Sequence, residues 1–198
     1  MSFRDFTFPE VQQQLKLTLA EQDLFSAVPP DAPDAGFIER MRGDVALALA
    51  VNTEKARSEF IIAPVLAQLR REMGGRFGLF SGVEFDVDAS RGLNGFCDFI
   101  LTRSPLQTVL TAPAVAVVEA KNDNLRGGLG QCIAAMVAAR EFNAAAGTGD
   151  GLPVHGVVTT GSAWKFLRLD ADRLTIDTGE YYVADLPRVM GILRLMAG

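Results

Sequence analysis

Asp98 interrupts an apolar run, Gly95-Phe96-Cys97-Asp98-Phe99-Ile100-Leu101, and Glu119 and Lys121 close a second, Ala114-Val115-Ala116-Val117-Val118-Glu119-Ala120-Lys121. Charges inside or at the tips of hydrophobic strands are costly unless they are paired, hydrogen-bonded or ligated. Two carboxylates suit a hard divalent cation, which takes oxygen ligands and keeps several waters. An ammonium beside them suits an anion such as a phosphoryl group. A third acid, Glu59, lies on an amphipathic helix upstream, and Gln131 lies on a helix downstream. Each residue also has a plainer reading. A Glu-x-Lys at a strand end is often solvated or self-paired, and Asp98 could accept hydrogen bonds from backbone or pair with Arg103. Glu59 has Lys55 and Arg57 nearby, and Gln131 can satisfy backbone at a helix start.

The elements that carry these residues can be read from periodicity. Side chains alternate faces along a strand, so Val117, Glu119 and Lys121 share one face and Val118 and Ala120 the other. The unbroken apolar run before Glu119 predicts a central strand covered on both sides. Its charges then emerge where the strand leaves the core, a common ligand position in open sheets. Upstream, Asp34 and Thr53 are candidate N-caps for helices over about 34–51 and 54–73. Ile62, Leu66, Leu69 and Met73 mark one buried face of the second helix, and Pro64 predicts a kink or break just after Glu59. Strands are expected at about 82–88, 94–102 and 113–121. A helix follows over 128–146, closed by Gly147-Thr148-Gly149-Asp150-Gly151. More strands are expected at 154–160, 164–170, 173–177 and 180–183, then a helix over 186–196 with proline in its first turn. Residues 1–34 read as an N-terminal extension and linker, with Val28-Pro29-Pro30-Asp31-Ala32-Pro33 as the linker. The succession predicts an α/β domain with a mixed sheet flanked by helices.

Composition narrows the class. A chain of 198 residues, 48% hydrophobic and 22% charged, suits one globular domain. Its formal charge of −5 argues against a broad basic nucleic-acid surface, though not against a local basic groove. Cys97 and Cys132 are too few for a disulfide framework, so a reducing, cytoplasmic setting is expected. No signal peptide and no membrane span are read in the sequence.

Other chemistries fit less well. His155 is the single histidine, which leaves no His-based zinc pair and only one possible base for a nucleophile. Gly127-Gly128-Leu129-Gly130 lacks the Gly-Lys-Ser/Thr of a P-loop and reads as a flexible lead-in to a helix. Lys121-Asn122-Asp123-Asn124 lacks the glycine of a nucleotidyltransferase motif. Trp164 and Phe166 read as core aromatics. Arg91, Arg126 and Arg140 are the candidates for a phosphate-facing patch.

The order of these features resembles the PD-(D/E)XK nuclease superfamily: a helical Glu, a strand Asp, a strand Glu-x-Lys, then a helix carrying Gln. The likeness covers roughly residues 50–145. The segment Gly156-Val157-Val158-Thr159-Thr160-Gly161 with Trp164 is similar to the following strand pair in restriction-related members. Cys97 stands where the motif's proline would be. The resemblance implies a restriction-endonuclease-like three-layer core and Mg²⁺-dependent (or Mn²⁺-dependent) hydrolysis of DNA. It implies Asp98 and Glu119 as metal ligands, with the Ala120 carbonyl as a further one and Glu59 binding through water or holding a second ion. Lys121 is implied to serve the attacking water or the transition state, with Gln131 positioning Lys121 or the phosphate. A homodimer or a partner subunit for target recognition is expected with such a site. The alternative is a catalytically inactive nuclease-like scaffold that binds protein or nucleic acid.

Overall fold

The computed structural model describes residues 1–148 and 151–198. Gly149 and Asp150, part of the loop expected to close the long helix, lie outside the described residues. In chain order the elements are α1 (Glu10–Gln14), β1 (Thr18–Gln22), α2 (Ala35–Val51), α3 (Glu54–Arg57), α4 (Ala63–Glu72), β2 (Gly78–Glu84), β3 (Phe96–Thr102), β4 (Ala114–Ala120), α5 (Leu125–Ala145), β5 (Val154–Thr159), β6 (Ala163–Asp170), β7 (Arg173–Asp177), β8 (Tyr181–Tyr182) and α6 (Leu186–Ala197). Among the described residues the strands form one mixed eight-stranded sheet in the order β1-β7-β6-β5-β4-β3-β2, with β8 on β6. The chain is thus an α/β protein with a mixed sheet flanked by helices.

Two apolar cores sandwich the sheet. One face carries Phe99, Val118, Ala120, Val157 and Trp164 against α2, α4 and α6. The other carries Ile100, Val117, Val158 and Leu167 against α5 and the N-terminal segment. From Ala116 to Ala120 the faces of β4 divide as the alternation predicts, whereas Val115, beside a bulge in the β3 pairing, joins Ala116 in the first core; every residue of β4 is buried. β4 and β5 run parallel, joined by α5, whereas β3 runs antiparallel to both β2 and β4. Both predicted N-caps form: Asp34 accepts from the Phe37 N–H at 2.9 Å and Thr53 from the Ala56 N–H at 3.1 Å.

The strand expected at 82–88 lies at Gly78–Glu84, set by its pairing with β3 from Gly78↔Thr102 to Glu84↔Phe96, and the structure departs from the sequence reading in three further places. Residues 1–34, expected as an extension and linker, are built into the fold. Phe3, Phe6, Val11, Leu15 and Leu17 are buried in the α5-side core, and β1 extends the sheet beside β7 in parallel. Apolar residues scattered through a Pro-containing segment gave no clear period, so only the tertiary contact reveals them. The expected kink near Pro64 is a π-helical turn over Ser58–Ile62, in which the Ala63 N–H reaches the Ser58 carbonyl. Proline cannot donate to the carbonyl four residues back and its ring collides with it, and a widened turn relieves both. The long helix begins at Leu125, capped by Asn124, and takes in the glycines read as a flexible lead-in. Those glycines are contact residues. A Cβ on Gly128 would stand 2.6 Å from Val158 Cγ1 and 3.0 Å from Lys121 Cγ, and one on Gly130 would overlap the Phe6 carbonyl.

Candidate active site

β3 and β4 part company where their acids lie. Their ladder runs from Thr102↔Ala114, past a bulge, through Leu101↔Ala116 and Ile100↔Val117, and ends at Phe99↔Val118. Beyond that point Cys97 and Phe96 pair only with β2, while Glu119 and Ala120 pair with Val158 and Thr159 of β5. The Asp98 carboxylate bridges the opening, accepting the Ala120 N–H on Oδ2 at 2.8 Å. A backbone donor that would otherwise belong to the ladder is thereby satisfied by a side chain. Of the two plainer partners read from the sequence, backbone and Arg103, Asp98 uses the backbone.

Glu119 projects to the α5 side and is only 5% exposed. Lys121 Nζ donates to its Oε1 at 2.6 Å and reaches Gln131 Oε1 of α5 at 3.4 Å. The stem of Lys121 passes over Gly128, whose missing side chain leaves room for it. Burial, and then the Asp98 charge, push the Glu119 carboxyl up to about 8, against the opposing pull of Lys121. Desolvation outweighs a close ion pair here because the carboxyl has lost nearly all its water.

Asp98, half-buried, faces the other way, into a notch of about 300 Å³ lined also by Glu54, Lys55, Ser58, Glu59, Ser81, Gly82 and Ala120. The π-turn sets Glu59 on the rim of this notch, where its side chain is 54% exposed and bonded to Lys55 at 2.8 Å. Arg57, weighed from the sequence as another partner for Glu59, points elsewhere, since residues two apart on a helix do not share a face. The expected site residues thus fall into two groups on either side of the β4 tip. Asp98, Ala120 and Glu59 line the notch, and Glu119, Lys121 and Gln131 form a bonded chain beneath α5.

Among the described residues no three His, Cys, Asp or Glu side chains converge as a metal cluster. The donor set still suits a hard cation that keeps most of its waters, because one or two carboxylates suffice for such an ion. The mutual repulsion that helps raise the Glu119 carboxyl is the charge a divalent ion would offset.

The remaining candidates resolve plainly. His155 is buried beside Phe25, and burial holds its imidazole down to about 4. Cys97 and Cys132 are buried free thiols. Trp164 and Phe166 are fully buried, the indole N–H donating to the Gly161 carbonyl at 2.8 Å. Arg91 pairs with Glu141 at 2.7 Å and Arg140 with Asp172 at 2.6 Å, which leaves Arg126 as the one of the three candidates without an ion pair among the described residues. No helix among the described residues is long and apolar enough to cross a membrane. No family model, curated protein or solved structure matches this chain.

Proposed function

We propose that this protein is a restriction-endonuclease-like nuclease of the PD-(D/E)XK type that hydrolyses DNA phosphodiesters with Mg²⁺ or Mn²⁺. The observation that carries the reading is the parting of β3 and β4 at Asp98 and Glu119, with Lys121 held between Glu119 and Gln131. Strand ends that diverge in a sheet open a crevice for a ligand. A divalent ion held in the notch that Asp98, Ala120 and Glu59 line would supply Lewis acidity and a water of lowered pKa. Asp98 fixes the tip of β4 through the Ala120 N–H, and so sets where Glu119 and Lys121 leave the sheet. Lys121 presents a positive charge that can orient a water or meet negative charge developing on the phosphoryl oxygens. Gln131 holds that ammonium from the helix side. Glu59 is available at the notch rim on exchange of its Lys55 partner.

The test is cleavage of supercoiled plasmid, linear duplex and single-stranded DNA in Mg²⁺ and Mn²⁺, with D98N and K121A purified alongside. Metal-dependent cutting that drops by about a hundredfold or more in both variants is expected. Equal cutting by wild type and variants would trace the activity to a contaminant. No cutting, together with no rise in melting temperature at saturating Mg²⁺, would favour the inactive scaffold. The two acid–lysine ion pairs at the site and the overall acidity are the features that suit that second reading.

A further inference from the structure

A second polar cavity, of about 530 Å³, lies on the opposite side of the β4 tip from the acidic notch. It is bounded by Arg57, by Asn122–Arg126 at the start of α5, and by Thr160 and Ser162 in the turn after β5. This is the carboxyl end of the parallel pair β4–β5, where the connecting helix begins. Arg57 is 8% exposed, yet among the described residues it has no carboxylate partner. Its guanidinium donates only to neutral acceptors: the Thr160 carbonyl at 3.0 Å, Ser162 Oγ at 3.4 Å and Asn52 Oδ1 at 3.0 Å. Its Nε–H has no partner among the described residues. Asp123 and Glu180 border the same cavity, but among the described residues neither forms an ion pair with Arg57. A buried charge without a counter-ion is costly, and this one adjoins an open polar cavity. Arg126 borders the same space from the first turn of α5, without an ion pair among the described residues and with its guanidinium 5.9 Å from the Phe8 ring centroid. The backbone N–H groups of that turn add partial positive charge, with only Gly127 capped by Asn124.

We propose that this cavity seats a phosphate group of the nucleic-acid backbone, with Arg57 as its buried counter-ion, Arg126 and the first turn of α5 at its mouth, and Ser162 as a hydroxyl donor. The seat rests on the nuclease reading only for the source of the phosphate. Arg57 on one face of its helix and Glu54, Ser58 and Glu59 on another would then place α3 between a bound phosphate and the acids.

Binding of a short labelled DNA duplex in EDTA tests the seat without any cleavage. Wild type is compared with R57Q, R126Q and S162A, with inorganic phosphate as competitor and R42Q, on exposed α2 surface, as the control. R126Q should weaken binding about tenfold and lower the salt dependence by about one counter-ion. R57Q should weaken it at least as much, and S162A less. If R57Q does not fold, R126Q and S162A carry the comparison. Variants that bind duplex like wild type would overturn the seat even if the protein cuts DNA in Mg²⁺. Arginine-dependent binding by a protein that never cuts would support the seat and sink the nuclease reading instead. Arginine-dependent binding of inorganic phosphate with no duplex binding would support a phosphate seat and overturn the backbone as its source.

Discussion

Glu119 and His155 sit in the same sheet, and burial drives their protonation in opposite directions. The Glu119 carboxyl is raised from its ordinary 4.5 to about 8. Between those values the unfolded chain has released the proton and the native chain still holds it, so stability falls as pH rises through that window. His155 is lowered from 6.5 to about 4. Across that interval the unfolded chain binds the proton and the native chain does not, so stability falls as pH drops from 6.5 towards 4. Denaturant titrations in EDTA should therefore show E119Q with a flatter alkaline limb and H155N with a flatter acid limb. Wild-type slopes retained in E119Q would mean that Glu119 is ionised throughout, as a simple salt bridge with Lys121. Both carboxylate motifs were legible because a charge in an apolar run is conspicuous. Arg57 was not, because a helical arginine near a glutamate looks like its partner until the turn of the helix is counted.

At the scale of elements, α5 does more than cover the sheet. Its first turns hold three glycines that differ in what surrounds them. Gly127 is exposed and faces only Asn124, whereas Gly128 and Gly130 lie against Val158, Lys121 and the Phe6 backbone. Gly127→Ala should leave stability unchanged or raise it by up to about 1 kcal/mol, the gain in helix propensity. Gly130→Ala should lower it by about 1–3 kcal/mol or more, since backbone must move to admit the methyl. Thermal unfolding of the pair separates a flexible lead-in, where both changes are mild, from a packed helix start, where only the first is. Helix periodicity cannot make this distinction, because glycine carries no side chain to show a face. The π-turn at Ser58–Ile62 was legible only as a disturbance. Pro64 announces that the helix must deform, but the neighbouring packing of Ile61 and Ile62, both fully buried, decides how.

Over the whole molecule, the sheet is closed at one edge by the N-terminal segment. β1 pairs with β7 in register from Thr18↔Arg173 to Gln22↔Asp177, and Phe3 and Phe6 pack against α5. Deleting residues 1–22 should therefore uncover Leu174, Ile176 and Leu129 and lower the melting temperature sharply or drive aggregation. A linker could be removed with no such change, and a melting curve decides between the two. By itself the sequence determined the central strands, the capped helices and the placement of Asp98, Glu119 and Lys121 at strand tips. Those follow from local rules, the two-residue alternation of strands and the hydrogen-bonding of caps, which neighbouring residues express. Only the tertiary structure decided that the acids divide between two sides of β4, that Arg57 is buried without a counter-ion among the described residues, and that the first residues complete the sheet. Each of these depends on contacts between residues far apart in the chain, whose register no local pattern encodes.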